Sequence, residues 1–240
     1  MYIKKTYYFK NSIEVEKIHT RRYGKKGGKN NPKVNKTPEA MAEHNRQQAI
    51  DKLRRIIKAN FEDGFHMVLT YNKKDRPDAR LAYKQKKNFL ERLKYHMKKM
   101  GYELKYIEVT EYEGKAIHHH LVINNFPELI ELVREQWPFG QANFTPIYKD
   151  EDVSTLAEYL IKERDKTFRD DPFAKKRYSR SRNLIVPEPK VEIIKSNSFK
   201  KQPTVPKGYT LDIDSLVYGV SAKTGYEYQK YTLKRVRRRM

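Results

Sequence analysis

The sequence predicts an α+β fold in which a central antiparallel sheet carries flanking helices. Two observations predict it. From residue 65 onward, strand-like and helix-like apolar patterns succeed one another in the order β-α-β-β-α-β-α. The middle of that order is a hairpin across Glu113-Gly114, so the sheet cannot be all parallel, and helices over an antiparallel sheet, as in ferredoxin-like folds, are the simplest packing. With 38% hydrophobic and 34% charged residues, the 240-residue chain can bury one modest core. The expected organisation is a basic N-terminal extension over residues 1–44, a folded domain over 45–185 and a basic C-terminal tail over 186–240.

Taken in order, residues 1–22 hold short β-like runs, YIKKTYYF and IEVEKIH. The stretch 21–36, RRYGKKGGKNNPKVNK, has seven cations, three Gly, one Pro and no acid, the composition of a flexible basic loop. Its Gly-Gly-Lys is not an NTPase phosphate loop, because Tyr23 stands where the first Gly belongs and no Ser or Thr follows Lys29. Thr37-Pro38 starts a helix with a cap residue and a first-turn Pro, and Ala49, Leu53, Ile56 and Ile57 give its apolar face. FHMVLTY (65–71) reads as a strand. Residues 81–100 read as a helix with Phe89, Leu90, Leu93, Met97 and Met100 on one side, closed by Gly101. LKYIEVTEY and AIHHHLVIN are the hairpin strands. Pro127 starts a short helix, QANFTPIYK is a further strand, and Asp152-Val153 opens a helix through Lys166 with Val153, Leu156, Ala157 and Leu160 inward. Beyond about residue 170 the chain is polar and Pro-punctuated, ending in the cationic LKRVRRRM.

Composition narrows the partner. Lys plus Arg number 52 against 30 Asp plus Glu, a formal charge of +22, and a field of that sign attracts a polyanion. No stretch approaches the roughly 20 apolar residues of a spanning helix, and the N-terminus lacks a signal-type apolar core. The absence of Cys removes disulfides, thiolate catalysis and Cys-based zinc sites, and fits a reducing, cytoplasmic setting. Many of the 18 Tyr stand beside Lys or Arg, a mixture that suits single strands, whose bases stack on rings while cations follow phosphates. For any single Tyr, a plain basic surface is the simpler explanation.

The chemistry centres on His118-His119-His120, three consecutive histidines inside an apolar strand. Alternate side chains share a face, so His118 and His120 project together and His119 points away. Two imidazoles at i and i+2 on a rigid sheet make half of a metal site. With Glu113-Gly114 as a two-residue turn, Val109 faces His118, Ile107 faces His120 and Glu111 faces Ala116, which puts Glu111 on the His118/His120 side and Glu108 on the other. A loop longer by one residue would reverse that choice. A His, His, Glu set with open positions suits Mn²⁺ or Mg²⁺, which polarises a phosphoryl oxygen. The nucleophile is then an activated water or a side chain. Tyr159, with Lys162 one turn on, lies on the flank of its helix away from the apolar stripe. Tyr-x-x-Lys recurs elsewhere in the chain, so the spacing alone selects nothing; the helix, the offset and the position downstream of the His strand do.

These residues together resemble the HUH endonucleases, the rolling-circle replication initiators of plasmids and single-stranded DNA phages. The resemblance rests on Ile117-His118-His119-His120-Leu121-Val122-Ile123, preceded by Val68-Leu69-Thr70-Tyr71 and followed by Tyr159-Leu-Ile-Lys162, and covers roughly residues 45–185. It is nearest to the single-tyrosine initiators of Gram-positive plasmids and prophages. It implies that His118 and His120 hold the metal, that Tyr159 attacks the scissile phosphate to give a 5′-phosphotyrosine and a free 3′-OH, and that Lys162 assists. The implied partners are single-stranded origin DNA and a host helicase and polymerase, because no helicase extension is present. The expected DNA contacts are Arg21, Arg22, Lys25, Lys26, Lys29, Tyr71, Lys166, Arg177, Arg180 and Arg182. The middle residue of the motif, usually hydrophobic, is here His119. A Tyr transposase of the same chemistry and a non-catalytic single-strand binding module, with Tyr106 and Tyr112 as stacking rings, are the competing readings.

Overall fold

A computed structural model describes residues 1–19, 37–113, 116–148, 152–167, 177–196, 198–221 and 225–236, with backbone alone at Glu113 and 163–167. The fold is α+β, with two antiparallel five-stranded sheets and four α-helices among the described residues. The chain divides into two compact units, Ala49–Val186 and a unit made of both ends, Met1–Gln48 with Pro187–Met240.

In the central unit the elements follow the expected order. β3 (Phe65–Leu69), α2 (Ala79–Lys99), β4 (Tyr106–Glu113), β5 (Ala116–Ile123), α3 (Leu129–Gln136), β6 (Ala142–Pro146), α4 (Ser154–Thr167) and the short β7 (Ser179–Arg180) build a sheet ordered β6-β3-β5-β4-β7. Local chemistry sets the boundaries. The Asp78 carboxylate accepts from the Leu81 amide to cap α2, and Gly101, at φ 82°, turns the chain after it. The Asp152 carboxylate accepts from the Ser154 amide to start α4. The helix expected at Thr37-Pro38 is α1 (Pro38–Asn60), with the Thr37 hydroxyl accepting from the Ala40 amide.

The sheet is buried on both faces by two separate apolar clusters. One face packs Met67, Leu69, Leu121 and Ile123 against Phe89, Leu93 and Met97 of α2 and Val133 and Trp137 of the α3 region. The other packs Ile107, Val109 and Val122 against Leu53, Ile56 and Ile57 of α1 and Ala157, Leu160 and Ile161 of α4. The α2 face departs from the pattern read off the sequence. Met100 is exposed and Leu90 only partly buried, while Lys86 is buried. The Lys86 ammonium is drawn inward by a buried charge: it pairs with the Glu108 carboxylate and donates to the Thr110 hydroxyl at 3.1 Å.

The two chain ends, expected as basic extensions, carry strands that pair with each other. β1 (Tyr2–Tyr8), β2 (Ser12–His19), β8 (Lys190–Ile194), β9 (Tyr209–Val220) and β10 (Glu227–Arg235) form a sheet ordered β8-β1-β2-β10-β9. Its small core is Ile13, Val15, Tyr231 and Leu233. The Lys17 ammonium donates to the Gln229 amide oxygen at 2.8 Å, and the Gln229 amide donates to the Lys200 and Lys201 carbonyls. Cationic strands pair here because long-range backbone bonding joins segments that are polar in sequence and lack any local apolar periodicity.

Breaking the buried ion pair should be costly. Lys86→Met is expected to lower unfolding free energy by about 3–5 kcal/mol, since it strands a buried carboxylate. Urea denaturation measures this, and Lys86→Met/Glu108→Leu should recover part of the loss. A single variant within about 1 kcal/mol of wild type, the size of an ordinary substitution, would refute the pair's role.

Candidate functional site: one face of the central sheet

The hairpin register decides which side chains meet. Glu111 pairs with His118, Thr110 with His119, Val109 with His120, and Glu113 with Ala116. The register is shifted from the expected one, in which Glu111 faced Ala116, because the loop falls at residues 114–115. Partner numbers sum to an odd value in both registers, so parity is preserved and Glu111 shares a face with His118 and His120.

On that face the His120 Nε2 donates to the Glu111 carboxylate at 3.0 Å, with both side chains buried. Its Nδ1 stands 3.3 Å from Nε2 of His66, and the two rings stack at 5.5 Å. Since His120 donates through Nε2, its Nδ1 is the acceptor and His66 the donor. Burial lowers the His66 pKa to about 4 and so favours the neutral ring that this arrangement needs. His118 is half-buried and directly opposite Glu111. Tyr159, 38% exposed on α4, meets His120 edge-on at 5.4 Å and His66 at 6.1 Å. Lys162 is exposed on the same helix.

His66 was not among the residues singled out from the sequence. Its signal was there in FHMVLTY: Phe65, Met67 and Leu69 alternate inward to the α2 face, which leaves His66, Val68 and Thr70 on the face of His118 and His120. The pairing of Val68 with His120 places His66 two residues along on the adjacent strand. The donor chemistry of His66, His118, His120 and Glu111 suits a divalent cation. Among the described residues, however, no group of three or more His, Asp or Glu stands assembled in metal-binding geometry. The nearest approach is the Glu111–His120 pair, whose shared proton a cation would replace.

His119 belongs to the other face and is fully buried. Its Nδ1 lies 2.9 Å from the Thr110 hydroxyl and its Nε2 3.0 Å from the Tyr71 hydroxyl. Thr110 donates its proton to the Glu108 carboxylate at 2.7 Å, so its oxygen accepts from His119 Nδ1–H and His119 Nε2 accepts from Tyr71. Burial, with the Lys86 charge adding to it, lowers the His119 pKa to about 3. Burial alone would raise Glu108, but the Lys86 ammonium and the hydroxyls of Ser179 and Thr110 hold it at about 2. The unusual middle histidine is thus a neutral, doubly bonded core group.

The expected DNA contacts divide. Tyr71 is corrected: its ring packs edge-on against Trp137 in the core and its hydroxyl is taken by His119, so it offers no face to a base. Arg177, Arg180 and Arg182 are half-buried to exposed along β7, at the β4 edge of the sheet. Arg21, Arg22, Lys25, Lys26 and Lys29 lie outside the described residues, as does the side chain of Lys166. Tyr106 and Tyr112, the rings a stacking module would need, pack against the α2-face core.

Residues 64–168, from the start of β3 to the end of α4, match the family of the replication-associated protein ORF2. The segment that builds the sheet, the histidines and Tyr159 is therefore of a rolling-circle, Rep-type replication initiator, a class whose members bind DNA. No curated protein and no solved structure matches the chain. Among the described residues, no helix is long and apolar enough to cross a membrane.

The buried network sets a pH dependence. His119 has a folded pKa below its ordinary 6.5, so its contribution is complete above pH 6.5 and is lost as pH falls toward 3. His66 acts with the same sign down to about 4, and Glu108 is lost only between 4.5 and 2. The melting temperature should therefore fall steadily from about pH 7 to about pH 4, and His119→Asn should flatten that slope. An equal slope in the variant would contradict the neutral, buried assignment.

Proposed function

We propose that the chain is a cytoplasmic DNA nickase and strand transferase that starts rolling-circle replication through a 5′-phosphotyrosine. One observation carries this reading: Tyr159 of α4, 39 residues beyond His120, is brought edge-on to both His120 and His66. A phenol beside an imidazole and carboxylate cluster is the arrangement that nucleophilic attack on a phosphodiester needs.

In this reading the Tyr159 oxygen attacks the scissile phosphorus, a Tyr–O–P bond forms, and the bond from phosphorus to the 3′ oxygen breaks. The phenol loses one proton and the departing 3′ oxygen gains one, so charge and bond count balance and the step is reversible. Reversal on a second 3′-OH gives joining. The free 3′-OH left behind can prime a host polymerase on a strand opened by a host helicase. His120 and Glu111, with His118 and His66 beside them, would hold Mn²⁺ or Mg²⁺, whose chemistry is to polarise the phosphoryl oxygen. Lys162, one turn from Tyr159, supplies a cation for the phosphorane oxygens. Family membership of the segment supports the replication role, and the convergence of Tyr159 with the histidines supports the transesterification.

Incubation with end-labelled single-stranded DNA and Mn²⁺ should yield an SDS-stable protein–DNA adduct. Tyr159→Phe should abolish it, His120→Ala should reduce it by roughly 100-fold or more, and Glu111→Gln by about 10–100-fold, the range for altered metal-site partners. Equal adduct from wild type and Tyr159→Phe would remove the nucleophile, and full-rate cleavage by His120→Ala would remove the metal centre.

A further inference from the structure

We propose that the β6 rim of the sheet, Gln141, Asn143 and Thr145 with Arg134 of α3, reads the bases flanking the scissile phosphate. The proposal rests on the nicking reading and supplies its sequence specificity. It starts from registers already established. Asn143 pairs with Val68, which pairs with His120, and Thr145 pairs with His66, so these rim side chains share the face of the histidines. Two strand spacings, about 10 Å, separate β6 from β5, which is within reach of the neighbouring nucleotide when a phosphate sits at His120.

The face is covered unevenly. Over β4 and β5 it is sealed, with Ile107, Val109 and Val122 packed under Ala157, Leu160 and Ile161. Toward β6 it opens: His66, Val68 and Thr70 are half-buried, and Gln141, Asn143 and Thr145 are exposed. A strand that reaches Tyr159 and His66 therefore has an open path across β3 and β6. At the end of that path, where α3 meets β6, lies a cavity of about 400 Å³ lined by Arg134, Trp137, Gly140, Gln141, Ala142 and Asn143. Gly140 lets the two backbones close on it, since a Cβ there would stand 2.2 Å from the Thr70 carbonyl oxygen.

The chemistry of the lining points to a nucleobase. Strand β6 needs only Ala142 and Phe144 for packing, and these turn to the α2-face core. The outward amides of Gln141 and Asn143 and the Arg134 guanidinium make no side-chain hydrogen bond or ion pair with any described residue. Amide and guanidinium groups pair in two-point fashion with base edges, and single-stranded bases present those edges free. Neither folding nor the proposed transesterification accounts for three such groups around one cavity.

The test uses the full chain and a pool of single-stranded oligonucleotides randomised over a central window. Adducts formed with Mn²⁺ are sequenced for wild type, Asn143→Ala, Gln141→Ala and Arg134→Ala, and the same pool is selected by binding alone with Tyr159→Phe. Wild type should prefer one base next to the cleaved bond by about 5- to 150-fold, the range for one two-point base contact. In the rim variants that preference should fall close to unity while preferences elsewhere in the window persist. Adducts with unchanged preferences in all three variants would overturn the rim assignment and leave the nicking reading intact. No adduct, with a base preference in the binding selection that the rim substitutions erase, would overturn nicking and keep the rim. Neither adduct nor preference would overturn both.

Discussion

The ion pair of Lys86 with Glu108, buried between α2 and the central hairpin, is the constraint from which the arrangement of the sheet follows. A carboxylate taken out of water must be paired and hydrogen-bonded or its cost exceeds what a small domain can bear. Glu108 meets that demand with one ammonium and two hydroxyls, those of Thr110 and Ser179. Because Thr110 spends its only proton on Glu108, His119 is fixed as the Nδ1–H tautomer, and Tyr71 is fixed as the donor to its other nitrogen. Four elements, α2, β4, β5 and the segment after β3, are thereby locked in one register. The pairs that put His120 beside Glu111 and His66 on the opposite face inherit that register.

Strand parity is what made the site legible in advance. It depends only on period-2 geometry and on whether partner numbers sum to an odd or even value, so it survived a misplaced turn. That is why Glu111, His118 and His120 were separated correctly from Glu108 and His119 even though Val109 pairs with His120 rather than with His118. Tyr159 was legible for a related reason: the buried stripe Val153, Ala157 and Leu160 leaves it on the solvent flank. The element order from β3 to α4 was equally clear, because each element there carries its own apolar periodicity.

What stayed hidden depends on long-range pairing or on a single polar partner. Strands β8, β9 and β10 are stabilised by pairing with β2 and β1, nearly 200 residues away in sequence, and their lysines and tyrosines show no clean alternation. Lys86 reads as one more cation on a basic helix until Glu108 is placed beneath it. Tyr71 reads as an interfacial ring until His119, 48 residues on, takes its hydroxyl. In each case the deciding interaction is a buried hydrogen bond between distant residues, and no local window of sequence contains both partners.

Charge is partitioned between the units as sharply as packing is. The unit built from the two ends carries 24 basic against 9 acidic residues, a formal +15, whereas the central unit carries 28 against 21, a formal +7. The residues nearest the histidines contribute little of that excess: the rim of β6 is neutral, and α4 mixes both signs. A field that captures a polyanion need not surround the reacting phosphate, and a dense cationic cluster there would hold product as tightly as substrate. Interactions that favour binding in general are thus concentrated in the terminal unit. The sheet face keeps groups whose geometry, rather than charge, distinguishes one phosphodiester from the next. Raising salt weakens the first contribution through counterion release, with little effect on base-edge hydrogen bonds. In this molecule affinity and selectivity therefore have separable physical origins.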